Sequence, residues 1–137
     1  MRTTLLTGLI VLAATAAAAQ PSGHMSAPEV RRIFFGIDMQ GVHQPSGDVW
    51  RECIDPDGKT AYWLRGAFDE GRLTVRRDGS LCFSYASSGF RDEACWKARR
   101  VDATNYKFES ADGEEGVFVT TRTRPAQSCP GRDAVVS

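Results

Sequence analysis

The fold is decided by the stretch Gly71-Arg72-Leu73-Thr74-Val75-Arg76-Arg77-Asp78-Gly79-Ser80-Leu81-Cys82-Phe83-Ser84-Tyr85. Apolar and polar residues alternate on both sides of Asp78-Gly79, the pattern of two half-buried strands joined by a tight turn. Parity chooses the turn. A two-residue Asp78-Gly79 turn would set Val75 opposite Cys82 and send Phe83 to the wrong face. A three-residue loop, Arg77-Asp78-Gly79, sets Val75 opposite Leu81 and Leu73 opposite Phe83, so all four share one face. We expect that loop, with Gly79 at positive φ as the bulge residue.

The same parity turns Cys82 outward, between inward Leu81 and Phe83. On the next strand Trp96 is the natural inward residue, which turns Cys95 outward as well. With Cys82 opposite Cys95, Leu81 meets Trp96 and Phe83 meets Ala94, so apolar register and disulfide agree. The chain has 4 cysteines and no CxxC pair. In an oxidising compartment an even set reads as two disulfides. Register gives Cys82–Cys95, and exclusion gives Cys53–Cys129. In the chain-entropy model the short loop contributes about 3 kcal/mol and the long one about 4.5 kcal/mol.

Asp57-Gly58 and Asp112-Gly113 repeat the hairpin signal on either side. Strands are expected near 37–42, 49–54, 59–65, 71–76, 80–85, 94–101, 105–110 and 115–121. A two-residue turn at Asp112-Gly113 would pair Ala111 with Glu114, Phe108 with Val117 and Tyr106 with Val119. Ahead of the strands, Ser26-Ala27-Pro28-Glu29 is a helix start with Ser as N-cap and Glu three residues on. Val30, Ile33 and Phe34 form its apolar face, and Gly36 is its stop. The fold class is therefore mainly β: a small antiparallel up-and-down barrel with one short N-terminal helix. Expected inward residues are Trp50, Tyr62, Leu64, Leu73, Val75, Leu81, Phe83, Tyr85, Trp96, Tyr106, Phe108, Val117 and Val119. Such barrels are filled by side chains or hold one small ligand, and this aromatic inventory favours filling.

Composition sets outer bounds. The chain has 137 residues, 17 basic against 17 acidic, with 42% apolar and 25% charged residues. That is a globular composition for one domain. The neutral balance gives no pull toward nucleic acid. Residues 1–19 read as a signal peptide: Arg2, an apolar run over Leu5–Ala14, then Ala17, Ala18 and Ala19 as small-residue cleavage sites. The run is too short to span a bilayer comfortably, and no Cys follows it to carry a lipid. Residues 20–25 are then a polar linker, 26–123 the barrel domain, and 124–137 an irregular tail tethered by Cys129. The expected location is periplasmic or secreted, with no membrane span once the signal is removed.

These residues resemble a known pattern. Glu29-Val30-Arg31, Gly36, Gly41, Trp50-Arg51-Glu52, Asp57-Gly58, Gly71-Arg72-Leu73-Thr74-Val75, Leu81-Cys82-Phe83-Ser84-Tyr85, Cys95-Trp96 and Tyr106-Lys107-Phe108 occur in order. Over about residues 26–110 the chain resembles a family of small, uncharacterised exported proteobacterial proteins. The resemblance implies a lipocalin-like barrel with a Cys82–Cys95 bridge, and no established activity. The chain departs from the pattern at Cys53, where an aromatic is usual, at Leu73, where Trp is usual, and at Cys129 in the tail.

Candidate sites are few. Asp55-Pro56-Asp57-Gly58-Lys59-Thr60 partly matches a calcium loop but lacks the further ligands, and a Pro-Asp-Gly turn explains it. Glu109, Asp112, Glu114 and Glu115 form an acidic hairpin tip, which reads as a solvated turn. With only His24 and His43 and no clustered ligands, no zinc or other metal site is expected, and no cofactor. No nucleophile–base pair stands out, so no catalytic residue is assigned. An enzyme would centre on His43 and need a carboxylate beside it.

Two outer features are candidate binding surfaces. One is the basic and hydroxyl face around the disulfide: Arg72, Thr74, Arg76, Ser80, Ser84, Lys97 and Arg99. The other is the loop 86–91, with Ser88, Phe90 and Arg91. Phe90 either projects as a recognition residue or closes the barrel mouth. The leading expectation is a non-enzymatic binding or accessory domain with an unknown protein or small-molecule partner in the cell envelope. One alternative is an inhibitor of an exported hydrolase. Ser88-Gly89 and Trp96-Lys97 are similar to the Cys-stapled barrels of the lysozyme-inhibitor class. The other is a small-ligand carrier, which would show an apolar cavity above roughly 300 Å³.

Overall fold

Around Asp78-Gly79 the chain folds as its parity requires. In the computed structural model, which describes residues 23–44, 46–113 and 116–131, Val75 pairs with Leu81 and Leu73 with Phe83. The Arg76 N–H donates to the Ser80 carbonyl at 2.9 Å, and Gly79 has φ 84°. Asp57-Gly58 makes the same kind of turn: the Asp55 N–H donates to the Lys59 carbonyl at 2.8 Å, with Gly58 at φ 87°. The signal segment 1–19, Gln20–Ser22 of the linker, Glu114 and Glu115 lie outside the described residues.

The elements are α1 (Ala27–Phe34), β1 (Ile37–Gln44), β2 (Val49–Ile54), β3 (Lys59–Leu64), β4 (Ala67–Val75), β5 (Leu81–Tyr85), β6 (Glu93–Arg100), β7 (Tyr106–Ser110) and β8 (Val117–Pro125). The strands run antiparallel in chain order and close into an eight-stranded barrel through β8 and β1. Closure leaves no free sheet edge.

Three expectations about the strands need correction. β4 begins at Ala67, not near Gly71, because Arg65-Gly66 is a two-residue turn with φ 51° and 78°. Both central φ values are positive, the geometry that suits strand twist. β8 continues to Pro125 because it must span the length of β1, with a register shift at Gln40/Gly41. The last hairpin is shifted by one residue. Phe108 pairs with Phe118, Lys107 with Val119 and Glu109 with Val117. Val117-Phe118-Val119 is apolar at both parities, so the strand alone does not select a face. Phe118 takes the interior, 5.6 Å from the Trp50 ring and 4.9 Å from the Trp96 ring.

α1 closes one end of the barrel. The Glu29 carboxylate accepts from the Ser26 N–H at 2.8 Å. Val30 and Phe34 are fully buried. The Phe34 ring lies 5.0 Å from Tyr106 and 5.3 Å from Phe108. The preceding residues are not a free linker. Met25 is buried and its N–H donates to the Ala98 carbonyl at 2.8 Å, while His24 pairs with Glu109.

Both expected disulfides are present, Cys53–Cys129 and Cys82–Cys95. Cys82 lies opposite Cys95, with Leu81 opposite Trp96. The bridge sits on the outer wall, yet Cys82 is only 1% exposed. Cys53 is equally buried, in a small outer cluster with Ala61 and Trp63. The Asp55 carboxylate accepts from the Cys129 N–H at 2.6 Å and fixes the tail beside the bridge.

Candidate functional site

The end of the barrel opposite α1 is open. There the interior holds a cavity of about 200 Å³, lined by Met39, Trp50, Glu52, Tyr62, Phe83, Tyr85, Ala94, Trp96, Phe108 and Phe118. Strand alternation builds it: Trp50 and Glu52 come from one face of β2, Phe83 and Tyr85 from β5, Ala94 and Trp96 from β6. The half-buried lining residues Tyr62, Tyr85, Ala94 and Phe118 stand toward the open end. Phe108 stands at the α1 side of the cavity, its ring 5.3 Å from that of Phe34.

Among the described residues, Glu52 is the only charged-type residue of that lining. It is 4% exposed. The Tyr85 hydroxyl donates to its Oε2 at 2.9 Å, a bond that crosses the barrel from β5 to β2. Glu52 Oε1, Trp50 Nε1 and the Thr60 hydroxyl beside Glu52 are buried without a hydrogen-bond partner. Burial pushes the Glu52 pKa up to about 8. The nearby Thr60 and Tyr85 hydroxyls offset part of this, and the Asp69 charge adds to it. At neutral pH Glu52 is therefore mainly the uncharged acid. Burial first, then the Glu52 charge, raises the pKa of both Tyr62 and Tyr85. A buried acid with one unpaired oxygen is costly in an apolar wall. It is also what a ligand-binding cavity needs to orient a guest.

The residues singled out from the sequence lie elsewhere, on the outer wall and the rim. Arg76 pairs with Glu93 at 2.9 Å, Lys97 with Asp78 at 2.7 Å, and Arg99 stands 3.6 Å from Glu109. These cations are already engaged by carboxylates. Arg72 is exposed and Ser84 half-buried on the same wall. Ser80 does not belong to it: it is 2% exposed, folded under the Asp78-Gly79 turn. Ser88 donates from its hydroxyl to the Tyr85 carbonyl at 3.0 Å, and Arg91 Nε donates to the Ser88 carbonyl at 3.1 Å. Phe90 is 54% exposed at φ 58°. It does not close the mouth. It lies in an outer groove with Phe68, Arg72 and Cys129.

Other candidates resolve locally. Asp57 accepts from the Lys59 N–H at 3.0 Å, as a turn residue does. His43 Nδ1 lies 2.8 Å from the Ser46 hydroxyl, and its ring packs on Phe118 at 4.4 Å. Its hydrogen-bond partner among the described residues is a hydroxyl, not a carboxylate. Cys82, Glu93 and Cys95 cluster closely enough for a metal, but both thiols are consumed in the bridge.

Glu52 itself was within reach of the sequence. With Trp50 inward, alternation places Glu52 inward two residues later. The acidic side chain conceals this, because charged residues are read as solvent-facing. No helix among the described residues is long and apolar enough to cross a membrane. No protein-family model, curated protein or solved structure matches the chain significantly.

Proposed function

We propose that this protein is a non-enzymatic binding domain of the cell envelope that holds one small molecule inside its barrel. The observation that carries this is Glu52, buried in an open-ended aromatic cavity with one oxygen unpaired. An unmade buried hydrogen bond costs about 1–3 kcal/mol. A guest that completes it recovers that cost and also buries its own apolar body. The cavity, about 200 Å³, falls short of the roughly 300 Å³ expected of a small-ligand carrier and so excludes drug-sized guests. It exceeds the roughly 150 Å³ that accommodates benzene in an apolar cavity. The guest is thus one ring or a short chain. Two disulfides suit an oxidising compartment, and with the signal-like leader they favour the periplasm.

Tryptophan fluorescence tests the proposal, since Trp50 and Trp96 line the cavity. Titration with 2-phenylethanol, 2-phenylethylamine and phenylacetate should give a saturable change with at least one of them. Ala94→Trp, which fills the cavity, should abolish it. Failure of all three to bind would reject the reading.

Exposed Phe90 supports a second reading, a proteinaceous inhibitor of an exported hydrolase. It predicts inhibition of a lysozyme-type enzyme that is lost in Phe90→Ala and kept in Ala94→Trp.

A further inference from the structure

We infer that the cavity takes a small amine, bound as its ammonium ion with Glu52 as the counter-ion. The inference rests on the reading of the barrel interior as the binding site and names the chemistry of the guest.

Three observations converge. First, the polar anchor is an acid, with no Lys, Arg or His in the lining among the described residues. Its Oε1 lacks a partner while Oε2 already accepts from Tyr85. A carboxylate so arranged has one oxygen left for an N–H donor. Second, the remaining wall is aromatic. Trp50, Tyr62, Tyr85, Trp96 and Phe118 present rings around the same space, and ring faces attract cations, most strongly where water is excluded. Third, the field is negative. Asp69, held by the Ser87 N–H at 3.2 Å and by the Ser87 hydroxyl, acts on Glu52 from β4. An anionic guest would meet the Asp69 charge and would keep Glu52 as the neutral acid, so no ion pair would form. A neutral alcohol can donate to Oε1 but gains neither the cation–ring attraction nor the ion pair.

The proton balance is definite. Below pH 8 the empty cavity holds Glu52 as the neutral acid. When an ammonium ion enters it keeps its own proton, Glu52 gives its proton to solvent, and the ion pair forms. The groups facing Glu52 are the Thr60 hydroxyl and Tyr62 on β3, Tyr85 on β5, the two tyrosines neutral in this range, and Asp69 on β4. His43 and Asp48 stand farther out at the rim, where Asp48 pairs with Arg65. Amine binding should therefore release close to one proton at about pH 6.5 and far less at about pH 9.

Calorimetry of the mature protein in two buffers of different ionisation enthalpy reads this directly. We expect 2-phenylethylamine to bind about tenfold more tightly than 2-phenylethanol, with phenylacetate weakest and proton release as stated. Glu52→Gln should abolish the release and bring amine and alcohol to similar affinity. The wild-type proton count stands even if that variant folds poorly. If the alcohol binds as well as the amine, or the amine binds without proton release, the inference is overturned and the cavity reading survives. If none of the three binds, the cavity reading itself has failed.

Discussion

The Tyr85 hydroxyl donates to Glu52 Oε2 at 2.9 Å across the barrel, from β5 to β2. This single bond joins opposite walls and leaves the other carboxyl oxygen unpaired. It has a consequence for stability. Burial raises the folded-state pKa of Glu52 to about 8, well above the value of an unfolded glutamate. The folded state then binds the extra proton between about pH 5 and 8, so the Glu52 contribution is full below the unfolded pKa and declines as pH rises through that window. The decline is about 1.4 kcal/mol per pH unit. Glu52→Gln should be flatter across the same range. Urea unfolding of both proteins at several pH values measures the difference.

Asp38 works in the opposite direction. It is buried on the outer wall, where Arg51 Nε donates to it at 2.9 Å and Arg124 Nη2 at 2.6 Å. Burial alone would raise its pKa, but the hydrogen bonds and charges of Arg51 and Arg124 hold it below the ordinary value. Its contribution is present above the unfolded aspartate pKa and is lost as pH falls through the depressed one. Asp38→Asn should cost about 2–3 kcal/mol at pH 7. That is less than for a fully enclosed pair, because Arg124 is 56% exposed. The loss should shrink in acid, as chemical unfolding would show.

The two disulfides differ in span, 13 residues for Cys82–Cys95 and 76 for Cys53–Cys129. Loop-closure entropy grows with span, so replacing Cys53 and Cys129 by Ser should cost about 4.5 kcal/mol, against about 3 kcal/mol for the other pair. The order of the two unfolding midpoints is the test. Peptide mapping of the oxidised protein should recover the same two pairs.

Gly41 makes room for the cavity wall. A Cβ there would overlap the Val119 carbonyl oxygen and lie 2.7 Å from Trp50 Cζ2. Gly41→Ala should strain the β1–β8 seam and push the indole into the cavity, at about 1–3 kcal/mol. Weaker probe binding together with a shifted tryptophan emission would register both effects.

Parity carried much of the architecture. Leu73, Val75, Leu81 and Phe83 are apolar at alternate positions with polar residues between them, so one register buries all four and its neighbour buries none. That constraint also set Cys82 opposite Cys95. Where both parities are apolar, as at Val117-Phe118-Val119, the constraint vanishes. There the space between Trp50 and Trp96 placed Phe118 inside. Arg65-Gly66 carries no clear turn signal because Arg rarely adopts positive φ, while the turn geometry at that point demands it.

What the chain determines by itself is local and periodic: hairpin turns at Asp-Gly, the Ser26–Glu29 helix start, strand faces, and from these a closed barrel with two bridges. What it does not determine is which inward positions are left unfilled. A cavity depends on the sum of side chains that meet from β1, β2, β3, β5, β6, β7 and β8, and on α1 occupying one end alone. Glu52 illustrates the division. Alternation directs its side chain inward, but only the assembled wall strips it of water, gives it Tyr85 and leaves Oε1 unpaired. Burial and pairing depend on distances between segments far apart in the chain, and those distances exist only once the barrel has closed.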